Sequence, residues 1–414
     1  MTPFLQLALA LVVIITAAKA AGYLSYRLGQ PSVLGELLVG IILGPSVIDF
    51  LHLPIFTPDA HTGDTIKELA EFGVLLLMFI AGLDLHLSDL AKSGKVSALA
   101  GTLGVITPVL MGFGLGRMFG MEVNPAIFVG LILAATSVSI SAQTLMELGV
   151  LRSRVGISLL GAAVFDDILV VLGLSIFVAL VGDAAGAGGL ASVAIILLRM
   201  VGFLVIASIV GFYLIPERMT RMIARLPISQ GLVAFVFTTM LLYAWASEAL
   251  GAMAAITGAF LAGLIFARSP LKDRIEEGMA TMAYGVFVPI FFVSIGLSAN
   301  ARDLDSSSLI LMLAMVVVAV VSKVVGSGLG GRLGGLTGRE ALQLGVGMMS
   351  RGEVGLIVVS VGVEAGLVAS NVFAAVVGVV ILTTLLTPPL LRALFAGDKP
   401  EAKAVKQSVM GEAS

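Results

Sequence analysis

Long apolar segments separated by short polar stretches follow one another along almost the whole chain. Most of them approach or exceed the roughly 20 residues that a helix needs to cross a bilayer. The pattern predicts an all-α integral membrane protein with thirteen transmembrane helices. The predicted spans lie near residues 3–24, 31–50, 68–86, 95–116, 124–148, 154–181, 190–215, 229–247, 251–267, 277–299, 307–331, 339–364 and 369–395.

Composition agrees with this pattern and removes several kinds of site. Of the 414 residues, 58% are hydrophobic and only 12% are charged, far from the averages of soluble proteins. The 49 glycines suit closely packed membrane helices. Because the chain has no cysteine, disulfides, thiolate metal sites and cysteine nucleophiles are excluded.

The basic residues are distributed unequally between the two ends of the predicted spans. Seventeen of the 24 fall on the side where the chain ends. By the positive-inside rule this side is cytoplasmic, so we expect the N-terminus outside and the C-terminus in the cytoplasm. No Lys or Arg precedes Lys19, as a signal peptide would require, so we interpret the first apolar segment as a span.

The two halves of the chain resemble each other. Phe72–Leu85 in the third span resembles Tyr284–Ala299 in the tenth, and GELLVGIILGPS in the second span resembles GAFLAGLIFARSP in the ninth. Seven spans separate the partners, and since seven is odd the copies must have opposite orientations. We therefore predict inverted-topology repeats of the kind found in secondary transporters, with the seventh span as a linker helix.

The fifth predicted span is polar at its centre. Ala135–Gly149 contains closely spaced hydroxyl and β-branched residues, including Thr136 and Ser137, which weaken helical hydrogen bonding. In inverted-repeat transporters the binding site forms where paired helices break, so we predict a break here. The alternative is ordinary helix packing through small polar residues.

The twelfth span, its repeat partner, carries two charges in its middle. In Gly345–Ser360, Arg351 and Glu353 flank a glycine. We predict two broken helices that cross at the membrane midplane, where opposed helix ends need compensating charge. Arg351 would neutralise C-terminal ends and Glu353 would neutralise N-terminal ends. The alternative is that these two charges only neutralise each other.

Asp166 and Asp167 are the only charges between Val155 and Gly182. An acidic side chain at mid-membrane costs about 2.5–3.5 kcal/mol on insertion scales, so two in succession indicate a cation, a proton or a fixed positive partner. Neighbouring residues on a helix point about 100° apart. We therefore expect one aspartate to face a positive partner and the other to face the ion pathway.

Lys323 is the only charge between Ser306 and Gly331. One interpretation is that its side chain reaches the membrane surface, because Arg332 at the cytoplasmic end is only about 13 Å of helix rise away. The other, which we favour, is a salt bridge to one aspartate of the pair, because buried carboxylates need a cation.

Taken together, these stretches resemble the cation/proton antiporter superfamily, specifically the bacterial branch with NapA-type sodium/proton antiporters and Kef-type potassium efflux proteins. The resemblance covers the chain to about residue 396. Its matching stretches are GELLVGIILGPS, ATSVSISAQTLMELGVL, GAAVFDDILVVL, SKVVGSGLGGRLGG and SRGEVGLIVV.

The resemblance implies roles for single residues. Asp167 matches the family's essential ion-carrying aspartate, and Asp166 matches the aspartate that pairs with the core lysine, here Lys323. Thr136 and Ser137 match the unwound crossing of the fifth span. Two positions depart from the family pattern, in which arginine is frequent at Gln143 and proline at Ser350.

The resemblance also implies an architecture, an NhaA-like antiporter fold in a homodimer whose core moves like an elevator against a scaffold. Residues 1–396 would form the transporter domain, and 397–414 a short cytoplasmic tail without the nucleotide-binding domain of full-length Kef proteins. The scaffold and dimer spans are expected at about 3–86 and 229–299. The linker helix is expected at about 190–215, and the ion-translocating core at about 95–181 and 307–395.

From these elements we expect an electrogenic Na⁺(Li⁺)/H⁺ antiporter in a bacterial inner membrane, not an enzyme. Na⁺ and protons would compete for Asp166 and Asp167, and Lys323 would carry a proton. The alternatives are a K⁺/H⁺ antiporter or Kef-like K⁺ efflux protein, possibly electroneutral exchange, an ion channel, or a symporter for an organic solute. Adjacent aspartates cannot face one peptide bond as an intramembrane aspartyl protease requires. We expect no cofactor and no nucleic-acid partner.

Overall fold

A computed structural model of the chain is entirely helical, without strands, in the residues that it describes. These are residues 2–56, 61–85, 87–181, 189–214, 222, 230–297, 306–352, 354–355, 358–359, 362, 368 and 370–397. In chain order, its helices are α1 (Pro3–Arg27), α2 (Ser32–Leu43), α3 (Thr62–Leu83), α4 (Leu87–Met118), α5 (Val123–Ala134), α6 (Val138–Glu147), α7 (Arg154–Val181), α8 (Gly189–Leu214), α9 (Gly231–Ala249), α10 (Ala255–Phe266), α11 (Lys272–Met282), α12 (Val288–Leu297), α13 (Ser306–Gly334), α14 (Gly338–Gly347) and α15 (Ser370–Phe395).

In the described part of the chain, nine helical stretches are long and apolar enough to cross a membrane. One of them joins α5 to α6, and another joins α11 to α12 through a π-helical turn at Ala283–Phe287. Helices α2 and α10 are apolar but shorter, with 12 residues each. The prediction of an all-helical, multi-pass membrane protein is confirmed, while the count of thirteen spans stays a prediction.

The chain divides into two compact units. The first comprises Met1–Ala70, Ser93–Asp166 and Pro289–Ser414. Within it, α13 approaches α4 closely, because a Cβ atom added at Gly330 or Gly334 would lie only 2.6 Å or 2.7 Å from a Cα atom of α4. Backbone contact of this kind needs glycine, and it gives Lys323 on α13 a close neighbour in α4.

Helix α14 also belongs to the first unit and begins with a capping box. Thr337 accepts a hydrogen bond from the backbone N–H of Glu340, and the Glu340 carboxylate accepts one from the backbone N–H of Thr337. This reciprocal pair satisfies two N–H groups that a helix start leaves open. The cap fixes the start of the short helix that leads into the Arg351 segment.

The second unit comprises Glu71–Lys92 and Asp167–Val288. In it, Arg199 of α8 donates hydrogen bonds to the carbonyl oxygens of Ala249 and Leu250, at 2.6 Å and 2.8 Å. These carbonyls lie at the C-terminal end of α9, where a cation stabilises the helix dipole. A helix-capping role therefore accounts for an arginine that stands alone in an apolar sequence.

Candidate ion-binding site

The fifth predicted span is interrupted where its hydroxyl residues occur. Helix α5 ends at Ala134 and α6 begins at Val138, and Ser137 between them is extended, with φ −103° and ψ 110°. Thr136 and Ser137 are both buried. Their hydroxyls have local partners, since Thr136 donates to the Ala134 carbonyl and Ser137 shares a hydrogen bond with Ser139. The predicted break is confirmed.

A second non-helical segment pairs with this break. Helix α14 ends at Gly347, and the backbone N–H of Ser137 donates to the carbonyl of Ser350 at 3.0 Å. In return, the Ser350 hydroxyl donates to the carbonyl of Ser137 at 2.5 Å, and Ser141 donates to the carbonyl of Gly347. The two segments therefore satisfy each other's backbone groups, as buried polar groups require.

Arg351 is fully buried beside this pairing, with 1% of its surface exposed. Its guanidinium donates hydrogen bonds to four carbonyl oxygens, three of which directly follow the end of α14. A positive charge at this position stabilises the negative end of the helix dipole. The four acceptors are the carbonyls of Met348, Met349, Ser350 and Ala319, at 3.1–3.4 Å.

Two threonines of α15 hold the backbone of Arg351. Thr383 accepts a hydrogen bond from its N–H at 3.1 Å, and Thr384 donates one to its carbonyl at 2.8 Å. Glu353, the other charge predicted to compensate the crossing, lies outside the described residues. In the described residues, therefore, the compensation is the contact of Arg351 with the carbonyls at the end of α14.

Lys323 and Asp166 form an ion pair in the interior of the first unit. The Lys323 Nζ atom donates to Oδ1 of Asp166 at 2.5 Å, and the side chains are 0% and 1% exposed. Thr136 and Arg351 are close enough to interact with the same carboxyl group. No donor within the described chain reaches the other oxygen, Oδ2, which is buried. The two oxygens of this carboxylate therefore differ, because Lys323 pairs with Oδ1 alone.

Asp167 has a different environment from its neighbour. It is half-buried, whereas Asp166 is fully buried. The two side chains point about 100° apart on α7. The two aspartates therefore differ in exposure, and the assignment of Asp167 to the ion pathway stays a prediction.

The structure thus brings Thr136, Ser137, Asp166, Lys323 and Arg351 together in one unit. The sequence did not reveal the partner of Ser141, which was expected only to weaken the fifth span, and it gave no role to the threonines at 383 and 384. The adjacent threonines were a readable signal, because they are the first polar side chains after a long apolar stretch of the last span. Among the residues that the structure describes, no three His, Cys, Asp or Glu side chains cluster as a metal site would require.

Comparison with known proteins extends over nearly the whole chain. Residues 9–397 match the family model described as sodium/hydrogen exchanger, transmembrane. The chain is 38% identical over 403 residues to the Na(+)/H(+)-K(+) antiporter GerN of Bacillus cereus, covering 97% of this chain and 99% of that protein. It is 34% identical over 430 residues to the high-affinity Na(+)/H(+) antiporter NhaS3 of Synechocystis, covering 95% of this chain and 90% of that protein.

The fold has a counterpart among solved structures. The sodium proton antiporter MjNhaP1 from Methanocaldococcus jannaschii at pH 8 is similar with a TM-score of 0.68, covering 96% of this chain and 98% of that one. Its 17% sequence identity makes this a likeness of fold alone. Given the family match and these relatives, the chain belongs to the sodium/hydrogen exchanger family, within the cation/proton antiporter superfamily.

Proposed function

We propose that the protein exchanges Na⁺ or Li⁺ for protons across the membrane, and that this exchange is electrogenic. The observation that carries the proposal is the buried ion pair of Lys323 and Asp166 beside the break between α5 and α6. Oxygen ligands suit hard cations, and Oδ2 of Asp166 has no donor in the described chain. The names of the relatives, several of them Na⁺/H⁺ antiporters, support the same reaction.

In this proposal Na⁺ and protons compete for Asp166 and Asp167, with oxygens of Thr136 and Ser137 completing the coordination. Bound Na⁺ supplies the positive charge that Lys323 provides in its absence. Lys323 then leaves Asp166 and gives up its own proton. If two protons are exchanged for one Na⁺, one net charge crosses per cycle, so the membrane potential contributes about 2.3 kcal/mol per 100 mV.

The finer architecture expected from the sequence belongs to the same proposal. It comprises thirteen spans in inverted repeats, a homodimer, and a core of residues 95–181 and 307–395 that moves against a scaffold. The membrane would be a bacterial inner membrane with the N-terminus outside. Large apolar side chains exposed along α1, such as Phe4, Val12 and Tyr23, are compatible with a lipid or partner-subunit surface.

An exchange assay with purified protein in liposomes tests the site. Na⁺ added outside acid-loaded vesicles should drive proton efflux with the wild type, and Asp167→Asn should abolish it. Glu68→Gln, which changes an exposed carboxylate of α3, is the matched control and should retain exchange. Na⁺-coupled proton movement in Asp167→Asn would overturn the site assignment, and wild-type Na⁺ flux without proton movement would overturn antiport.

The second candidate function is exchange of K⁺ for protons, including Kef-like K⁺ efflux. It is favoured by the name of one relative, the Na(+)/H(+)-K(+) antiporter GerN. Replacing Na⁺ by K⁺ on either side of the vesicles in the same assay separates the two. Equal proton fluxes with both cations would favour the broader exchange.

A further inference from the structure

A second charged cluster of the first unit lies where α2 begins and α6 ends. The backbone N–H and the hydroxyl of Ser32 both donate to the carboxylate of Glu147, at 2.7 Å and 2.5 Å. Ser32 is the first residue of α2, and the preceding Pro31 supplies no side-chain cap. Glu147, 115 residues away in sequence, therefore caps α2 from another helix.

The position of Glu147 depends on this contact. It is the last residue of α6, where the helix dipole disfavours a negative charge, while the start of α2 favours one. Gln143, one turn earlier, donates to the same carboxylate at 2.8 Å. The Gln143 side chain is itself buried, and its carbonyl oxygen has no partner within the described chain. The carboxylate is thus oriented by three donors.

This contact lies at the far end of the helix that forms the candidate site. Helix α6 has 10 residues and starts directly after Ser137, so Glu147 lies about 15 Å of helix rise from the break. A shift of α6 relative to α2 must break the bonds from Ser32. Between α2 and α15, Leu37 and Leu385 line one mostly apolar cavity.

Glu36 lies one turn after Ser32 and is 7% exposed. The charges that act on it are Lys19 from α1 and Glu147 from α6. From α1, Gly22 also faces it, since a Cβ atom there would lie 3.5 Å from Oε1 of Glu36. On the α15 side, Arg392 lies against Gly29 in the turn between α1 and α2.

With both carboxylates ionised, Glu36, Glu147 and Lys19 together carry one net negative charge. A proton on Glu36 removes that charge and leaves Glu147 as the only anion at the start of α2. Loss of the proton puts a second negative charge, on the buried Glu36, near Glu147, and like charges repel. Lys19 is exposed, so water screens its opposing attraction.

We propose that Ser32 and Glu147 form a latch between α2 and α6, and that a proton on Glu36 keeps the latch closed. The inference rests on the proposed antiport, because a cycle of alternating access has to move α6 relative to the α1–α2 hairpin. Deprotonation of Glu36 opens the latch and releases α6. The device makes transport respond to pH at a place separate from the carboxylates that bind the ion.

Hydrogen–deuterium exchange measures the latch directly, because the Ser32 amide is itself one of its bonds. In wild-type protein in nanodiscs, protection of a peptide that starts at least two residues before Ser32 and includes it should fall between pH 6 and pH 9, after correction for the intrinsic exchange rate. Glu36→Gln should stay protected at both values. Glu147→Gln should lose protection at both by about tenfold, the effect of losing one charge-assisted hydrogen bond. Ser32→Ala, a milder change, should lose protection by a smaller factor.

Transport gives the second measurement. Glu36→Gln should lower the exchange rate at pH 9 several-fold, whereas Glu147→Gln and Ser32→Ala should raise it at pH 6. Glu68→Gln, an exposed carboxylate of the same unit, should follow the wild-type pH profile. Wild-type protection that does not change with pH, or a Glu147→Gln protein as protected as wild type, would overturn the latch. Absence of Na⁺-coupled proton movement in the wild type would refute the proposed function instead.

Discussion

The ammonium group of Lys323 on α13 lies 2.5 Å from Oδ1 of Asp166 on α7, and neither side chain is more than 1% exposed. Residues 157 positions apart in sequence thus form a desolvated ion pair. Such a pair contributes little to the net free energy of folding, but the loss of one partner leaves the other charge buried and uncompensated. This asymmetry makes the pair testable.

Replacing Lys323 by Ala should destabilise the protein by about 3–5 kcal/mol, because Asp166 would remain buried without its cation. The double change Lys323→Ala with Asp166→Asn should recover most of that loss. Thermal unfolding in detergent measures both, and Lys67→Ala, an exposed lysine of α3, serves as the control. If the single variant unfolds at the wild-type temperature, the ion pair is not formed in the folded protein.

Arg351→Gln should destabilise the protein by about 3 kcal/mol, because four buried carbonyl oxygens would lose a charged donor. Arg351→Lys should recover only part of the lost stability, since an ammonium group cannot reach as many separated acceptors as a guanidinium. The matched control is Arg117→Gln, an exposed arginine that donates to one carbonyl, that of Met121. Equal effects at the two positions would contradict a special role of the buried arginine.

Gly352→Ala should lower both the unfolding temperature and the exchange rate. A Cβ atom there would lie 2.5 Å from the Cβ and Oγ atoms of Ser137, so the paired segments would have to separate, at about 1–3 kcal/mol. Gly355→Ala is the matched control, because nothing lies within 4 Å of its added Cβ. The double change Gly352→Ala with Ser137→Gly should restore stability, and its failure would show that the contact is not the cause.

An imposed membrane potential should change the wild-type exchange rate, because one net charge per cycle couples to about 2.3 kcal/mol per 100 mV. Lys323→Gln, if it still exchanges, should lose this response, since the second proton would have no carrier. In the vesicles, valinomycin and a K⁺ gradient set the potential. The measurement is made under conditions in which K⁺ itself drives no proton exchange. A wild type that ignores the potential would make exchange electroneutral and would refute the proposed role of the lysine.

Local physical chemistry was sufficient to predict the break between α5 and α6 and the role of Arg351, while Glu353 lies outside the described residues. Hydroxyl residues such as Thr136 and Ser137 compete with helical hydrogen bonds wherever the chain folds, so their effect is visible in the sequence. The placement of Arg351 near the end of a helix also follows from the dipole. For Lys323 the sequence left two partners open, because either the membrane surface or an aspartate satisfies an ammonium group.

Other parts of the site depend on contacts that have no local signature. The bonds from Ser32 to Glu147 join helices 115 residues apart, and each residue alone resembles an ordinary helix end. Ser350 looked like a departure from a family pattern, yet its hydroxyl and carbonyl both pair with Ser137. Such partners become predictable only when the packing of the helices is known.

The glycines of α13 determine which part of the lysine contact can move. Gly326, Gly330 and Gly334 each bring the backbone of α13 against α4, one turn apart, and Gly104 of α4 leaves space beside the Lys323 ammonium. Two backbones in such contact are expected to travel as one piece. Gly101 of α4 lies equally close to α7, since a Cβ atom there would lie 2.7 Å from the carbonyl oxygen of Ala162. In the proposed exchange cycle, the approach of Lys323 to Asp166 and its withdrawal would therefore depend on rotations within the four-carbon side chain of the lysine.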